Sequence, residues 1–75
     1  MIPNLPNFIN ALQGEHGVSK QVFGPLADLL YDDLCPDHED VYDEIIEMVD
    51  IVDGRYKLSQ DSVNKLWAIN EKIEV

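Results

Sequence analysis

Basic residues are absent from the middle third of this 75-residue chain. Between Asp28 and Asp53 there is no Lys or Arg, whereas eleven of the twenty-six residues are Asp or Glu. The formal net charge of the chain is −10, and this acidic segment alone accounts for −11, so the remaining residues sum to +1. The negative charge is therefore concentrated in one stretch of sequence.

Other absences narrow the class of protein. A single cysteine, Cys35, cannot form an intramolecular disulfide, which is typical of a reducing compartment. The chain has no run of about 18 apolar residues, and its first residues lack the basic and apolar regions of a signal peptide. With 45% hydrophobic residues and six aromatic side chains, the composition is that of a folded chain. We expect one small cytoplasmic domain spanning residues 1–75.

Periodicity and capping residues predict an all-α fold, a compact bundle of about four short helices. The first helix is predicted over residues 5–13, with Asn4 as its N-cap. The second is predicted to begin after Ser19 as N-cap, and its apolar residues from Val22 to Leu34 keep one helical phase across a kink at Pro25. The first helix is short, so it needs packing against its neighbours to persist.

Three aspartates near the end of the second helix have different surroundings on a helical wheel. Asp28 and Asp32 project outward, one turn apart. At about 100° per residue, Asp33 instead falls on the apolar side, between Leu26 and Leu29. Either the helix ends before Asp33, or its carboxylate accepts a hydrogen bond from another part of the chain.

The third helix is predicted to run from Pro36 to Asp53 and to end before Gly54. Its apolar residues keep a helical spacing, and its carboxylates cover the opposite side. A brief extended turn is expected at residues 56–58, and Ser59 should cap a fourth helix.

The third helix should present a dense row of negative charge. Eight carboxylates over seventeen residues, at about 1.5 Å per residue, give roughly one charge per 3 Å. One strand of B-DNA has one charge per about 3.4 Å of axis. A protein groove that binds a phosphate backbone could therefore accept this helix. The carboxylates predicted to bind are Asp28, Asp32, Glu39, Asp40, Asp43, Glu47 and Asp50.

Two apolar residues are expected at the border of the charged side. On the predicted third helix, Ile51 projects between Asp40 and Glu44, and Ile46 lies beyond Tyr42. Apolar residues inside a charged rim often anchor a protein partner, so Ile46 and Ile51 are added to the predicted partner-binding residues.

These patterns favour binding over catalysis. A strongly acidic surface repels nucleic acid and anionic membranes, and it attracts basic proteins. We expect a small inhibitor, encoded by a phage or mobile element, that occupies the basic groove of a host nucleic-acid-binding protein in the anti-restriction or anti-CRISPR manner. The phage origin rests on analogy with small acidic DNA mimics. The alternative is a protein interaction module, or a homodimer, that uses apolar contacts near Tyr42, Ile46 and Ile51, with the acidic side serving only solubility.

No motif indicates an enzyme or a cofactor. Structural zinc takes four nitrogen or sulfur ligands, and the chain offers only Cys35, His16 and His38. The acidic segment has no glycine, so it lacks the central turn of an EF-hand calcium loop. The carboxylates flanking Cys35 disfavour its thiolate, so this side chain is expected to be inert.

Overall fold

Two helices form the first half of the chain. A computed structural model describes residues 1–75, in which α1 spans Leu5–Leu12 and α2 spans Lys20–Leu34. Pro25 lies inside α2, and the helix continues beyond it, as the apolar spacing predicted. Helix α1 agrees with its predicted bounds to within one residue, and α2 begins directly after its predicted N-cap, Ser19. Ser19 and Asn4 occupy the N-cap positions, but neither side chain forms a capping hydrogen bond.

The third helix is half as long as the sequence predicted. Helix α3 spans Glu39–Glu47, and Met48 and Val49 then lead into a hairpin of two strands, β1 (Asp50–Val52) and β2 (Arg55–Lys57). The prediction of one helix over residues 36–53 was therefore wrong at both ends. The fold is mostly helical, with four helices and one antiparallel hairpin, and it is not purely all-α.

The hairpin forms because its turn has two residues with positive φ. Asp53 has φ 53° and Gly54 has φ 74°. A two-residue loop with both φ angles positive is the type I′ turn, whose twist matches that of the paired strands. The strand register is Asp50 with Lys57, Ile51 with Tyr56, and Val52 with Arg55. This turn cannot be accommodated in a continuous helix, so α3 ends before it.

The α1–α2 loop holds the hairpin from the side of β2. Val18 and Tyr56 exchange two backbone hydrogen bonds, with N to O distances of 3.0 and 2.8 Å. The Arg55 guanidinium donates to the carbonyl oxygens of His16 and Gly17. The Tyr56 ring also stacks on Phe23 of α2, at a centroid distance of 4.2 Å. These contacts fix the hairpin against the helices.

Helix α4 spans Gln60–Lys72 and closes the bundle. Ser59 caps it as predicted, because its hydroxyl accepts a hydrogen bond from the backbone N–H of Ser62. The one buried polar side chain, Asn70, accepts a hydrogen bond from the backbone N–H of Ile2 at 2.9 Å. This bond joins the N-terminal residues to the last helix.

Helix α1 packs against both α2 and α4, while α3 packs against α2. Four of the eight residues of α1 are buried, so this helix is the centre of the core. The other elements contribute fewer buried residues, and no helix is both long and apolar enough to span a bilayer. The buried apolar cluster comprises Ile2, Leu5, Phe8, Ile9, Leu12, Leu30, Leu34, Ile45, Leu58, Val63 and Leu66.

Candidate acidic interaction face

Helices α2 and α3 bring the two parts of the acidic segment side by side. The rings of Tyr31 on α2 and Tyr42 on α3 meet edge to face, with centroids 5.4 Å apart and planes at 89°. This contact is an attractive arrangement for two aromatic rings. In sequence, Asp28 and Asp32 lie on either side of Tyr31, and Asp40 and Asp43 lie on either side of Tyr42. We define the acidic face as the exposed carboxylates of these two helices, namely Asp28, Asp32, Glu39, Asp40, Asp43, Glu44 and Glu47.

The carboxylates of the acidic segment have almost no partners within the chain. Ten of the eleven are exposed, and none of the eleven forms an ion pair. The chain has one ion pair, between the Met1 amino group and Glu74, at 3.4 Å and exposed to solvent. The charge of the acidic face is therefore uncompensated by the protein itself.

Asp33 is the exception, and it has a structural role. Its Oδ2 accepts hydrogen bonds from the backbone N–H of Asn4 at 2.9 Å and from Asn4 Nδ2 at 3.0 Å. Of the two alternatives that the sequence left open, the second is correct: helix α2 continues past Asp33, and the carboxylate finds a donor. Asn4 therefore uses its side chain to bind α2, which explains why it does not cap α1.

Carboxylates of both helices converge on one phenol. The pKa of Tyr42 is raised above its ordinary value, first by burial, then by the negative charge of Asp28, and then by Cys35, Asp43 and Tyr31 in that order. Because Asp28 lies on α2 and Asp43 on α3, both helices contribute negative potential to the same place. The helical wheel predicts that Asp28 and Asp32 project outward, and both are exposed on α2, which packs beside α3.

On α3 the carboxylates occupy one side of the helix. The five carboxylates of its nine residues fall within an arc of about 140° at 100° per residue. The nine residues span about 13 Å, which gives roughly one charge per 3 Å. The predicted charge density is thus kept, but the row is half as long as the sequence suggested. The residues of this row are Glu39, Asp40, Asp43, Glu44 and Glu47.

Asp50 does not belong to this row. It was predicted on the third helix together with Glu47, but it lies in β1, opposite Lys57 of β2. Its carboxylate is exposed, and its nearest cross-strand neighbour is basic. Six of the seven carboxylates predicted to bind a partner therefore lie on α2 and α3, and Asp50 lies apart from them on the hairpin.

The two predicted apolar anchors are also separated. Ile46 lies on α3, half-buried against the core, and it is less available than the sequence suggested. Ile51 was placed on the charged side of a helix, which is wrong, because it lies in β1 opposite Tyr56. It is nevertheless 64% exposed, and its neighbour Val52 is 52% exposed. These two residues make the hairpin the most exposed apolar part of the acidic segment.

Cys35 lies between the helices and has little nucleophilic character. The side chain is half-buried. The pKa of its thiol is raised above the ordinary value, first by loss of hydration and then by the negative charges of Glu39 and Asp43. A raised pKa means less thiolate at neutral pH. No cluster of three or more His, Cys, Asp or Glu side chains is arranged to hold a metal ion.

The surface hollows lie away from the acidic face. Two open hollows share Glu15, Val52 and Lys57, between the hairpin and the α1–α2 loop. Both have few apolar lining residues, unlike the mostly apolar pockets that bind small molecules. The seven carboxylates of the acidic face are exposed and line neither hollow.

The extended turn predicted at residues 56–58 overlaps β2, but sequence reasoning missed β1 and its pairing with β2, although a signal for the hairpin was present. Asp53-Gly54 is a preferred pair for a type I′ turn, and the residues on either side can be read as alternating. That reading competes with the helical spacing of the same residues, and the prediction of one helix over residues 36–53 rests on the helical spacing. Comparison with protein-family models, with curated proteins and with solved structures gives no match for this chain. Function must therefore be argued from the site itself.

Proposed function

We propose that this chain is a small acidic binding protein that mimics the charge of a nucleic acid and occupies the basic groove of a nucleic-acid-binding protein. In this proposal it acts in a host cytoplasm as a phage or mobile-element inhibitor of the anti-restriction or anti-CRISPR type. It binds its partner and catalyses no reaction. The observation that supports the proposal is the acidic face, whose seven carboxylates have no ion-pair partner in the chain.

Unpaired charge at this density costs stability through repulsion. A chain of 75 residues has a small core, so such repulsion is a substantial part of its free energy of folding. Only one carboxylate of the acidic segment, Asp33, offsets this cost by an internal hydrogen bond. A function that uses the remaining charges would explain why they are kept together and unpaired.

The dimensions of the face agree with those of a short phosphate row. The α3 carboxylates span about 13 Å, which corresponds to about four phosphates at 3.4 Å each on one DNA strand. Asp28 and Asp32 on the adjacent α2 add a second row, one helical turn apart. Lysine and arginine side chains that bind a duplex backbone could bind both rows at once, with fast and salt-sensitive association.

A second candidate function is favoured by the exposed hairpin. Ile51 and Val52 are each more than half exposed, and both lie beside acidic residues. They suit an interaction module, or a homodimer, that binds through apolar contacts while the acidic face serves solubility. Of the three residues first suggested for such contacts, Tyr42 and Ile46 are half-buried, so Ile51 would have to contribute most.

Salt and competing DNA distinguish the two functions. The immobilised chain is incubated with bacterial lysate, and bound proteins are eluted either with a NaCl gradient or with excess duplex DNA. Charge mimicry predicts that the captured protein binds nucleic acid and is released by both treatments, because the Debye length falls from about 10 Å at 0.1 M to 3 Å at 1 M. A partner that resists both treatments would contradict mimicry, since apolar binding persists in salt.

Two variants of equal net charge then test the face itself. The face variant carries Asp28→Asn, Asp43→Asn and Glu47→Gln, and the control variant carries Glu15→Gln, Asp61→Asn and Glu71→Gln. Both remove three exposed charges. We expect the face variant to bind the captured protein at least about tenfold more weakly, and the control variant to lose less than about threefold. Equal losses would mean that only the total charge matters, and the proposed face would be wrong.

A further inference from the structure

Strand β1 has one free edge, and its backbone groups can be assigned a direction. The sheet has two strands, and Val18 extends it only on the β2 side. Tyr56 donates to Val18 and accepts from it, so the N–H and C=O of Tyr56 point away from β1. In an antiparallel pair, directly opposite residues either exchange both hydrogen bonds or point both sets outward. Ile51, the residue opposite Tyr56, therefore points its N–H and C=O toward the free edge.

These two groups of Ile51 are available to another chain. No backbone hydrogen bond outside the hairpin involves Ile51. The side chains of β1 are also exposed to solvent. Ile51 is 64% exposed and Val52 is 52% exposed, and Asp50 is exposed as well. An uncovered edge with exposed apolar side chains is a template for an added strand.

The charges around the edge select the kind of strand that could be added. Glu47, Asp50 and Asp53 lie before, within and after β1, are exposed, and have no ion-pair partner. Side chains alternate between the two faces of a strand. Ile51 therefore lies on one face, and Asp50 lies on the other. A strand with apolar residues on the first face and basic residues on the second matches this pattern.

We propose that the free edge of β1 accepts an extended segment of the partner protein, with alternating apolar and basic residues, as an added antiparallel strand. The proposal rests on the proposed function in that the partner is basic, and it adds a main-chain contact that charge mimicry does not require. Ile51 then acts through its backbone N–H and C=O as well as through its side chain. An apolar residue of the added strand lies directly opposite Ile51, and basic residues lie beside Asp50.

A second copy of the chain fits this edge less well. Two copies would each bring a net charge of −10 to the contact. Strand β1 has three residues, so pairing it with another β1 would bury little surface, whereas stable interfaces bury about 1,200–2,000 Å² in total. Charge therefore favours a basic segment over self-association.

The test uses an acetylated and amidated peptide of seven residues, Lys-Val-Lys-Val-Lys-Val-Lys, added to the isotope-labelled full chain and followed by NMR. In such a strand the N–H groups of the valines point to one edge and those of the lysines to the other. We expect the Ile51 amide signal to shift and its hydrogen exchange to slow. Slowed exchange of Ile51 at rising protein concentration without peptide would overturn the proposal, because a second copy would then occupy the edge.

Two methylated peptides of identical charge isolate the main-chain contact. One has N-methyl groups on every valine, and the other has them on every lysine. If a valine lies opposite Ile51, methylation of the valines removes the donor and should weaken binding at least about tenfold, whereas methylation of the lysines should change it less than about threefold. Equal binding of the two peptides would overturn the proposal. Shifts confined to α2 and α3 would also overturn it while leaving the charge-mimic function intact.

A protein variant gives the reciprocal test. Ile51→Pro removes an N–H that the hairpin does not use, and proline is tolerated at such an edge position. Ile51→Thr keeps the N–H and shortens the apolar side chain. We expect Ile51→Pro to weaken binding of the unmodified peptide at least about tenfold, and Ile51→Thr to weaken it less. The exchange of the Tyr56 amide, which Val18 protects, reports whether the hairpin remains folded in each variant.

Discussion

At the scale of single residues, Asp33 and Asp32 show how neighbours of the same type take opposite roles. Asp33 accepts two hydrogen bonds from Asn4 and so joins α2 to the start of α1. Asp32, one position earlier, is exposed and has no partner in the chain. The acidic segment therefore contains one structural carboxylate and ten exposed ones. This distinction depends on the direction of each side chain on the helix.

The predicted consequence is a difference in stability between two alanine variants. Asp33→Ala leaves the partly buried N–H groups of Asn4 without their acceptor, so the free energy of unfolding should fall by about 1–3 kcal/mol. Asp32→Ala should change it by less than about 0.5 kcal/mol, and in either direction. Asn4→Ala should cost less than Asp33→Ala, because its backbone N–H still donates. Urea denaturation of the three variants gives the comparison, and equal effects at positions 32 and 33 would contradict the structural role.

At the scale of elements, the hairpin depends on two glycines in different ways. Gly54 has φ 74° in an open turn, so Gly54→Ala should lower the free energy of unfolding by about 1–2 kcal/mol through backbone strain alone. At Gly17, with φ 66°, an added Cβ would also lie 2.4 Å from the Tyr56 carbonyl oxygen. Gly17→Ala should therefore cost more than Gly54→Ala. Gly14→Ala is the control, since nothing lies within 4 Å of its Cβ. In thermal unfolding, Gly17→Ala should lower the Tm most, Gly54→Ala less, and Gly14→Ala least.

The helices could be predicted from sequence because their signals are local. Ser19 and Ser59 occupy the predicted N-cap positions of α2 and α4, and the apolar spacing carried α2 correctly across Pro25. The end of α3 could not be predicted in this way. Residues from Val49 to Val52 fit both a helical and an alternating pattern, so local spacing does not decide between them. The choice is made by contacts distant in sequence, such as the pairing of Val18 with Tyr56.

The same reasoning explains which site residues the sequence could identify. Asp28, Asp32, Glu39, Asp40, Asp43 and Glu47 lie in those parts of the predicted second and third helices that are helical in the structure, so their exposure followed from the helical period. Asp50 and Ile51 lie beyond the true end of α3, and each was assigned to the wrong element. The free edge of β1 could not be inferred from the sequence. It depends on a contact distant in sequence, the pairing of Val18 with Tyr56, which extends the sheet beside β2 and leaves β1 at the edge.

At the scale of the whole molecule, charge and core are unequally distributed. Helix α1 supplies four buried residues and no acidic side chain, whereas α3 supplies one buried residue and five carboxylates. Five of the seven carboxylates of the acidic face therefore lie on α3, a helix that contributes little to the core. Two carboxylates one helical turn apart, about 6 Å, repel each other by roughly 0.7 kcal/mol in water. Several such pairs make the folded chain sensitive to ionic strength.

This repulsion predicts that salt stabilises the folded chain and that the acidic face accounts for most of the effect. Raising NaCl from 0.01 to 0.1 M shortens the Debye length from about 30 to 10 Å, and screening of about 1 kcal/mol of repulsion would raise the Tm by about 4–8 °C. The variant with Asp28→Asn, Asp43→Asn and Glu47→Gln should show a smaller rise than the variant with Glu15→Gln, Asp61→Asn and Glu71→Gln, although their net charges are equal. Circular dichroism melts in the two salt concentrations measure this directly. If the Tm of both variants rose with salt as much as that of the unmodified chain, repulsion within the face would not limit stability. The argument that its charges are kept for a partner would then lose its energetic basis.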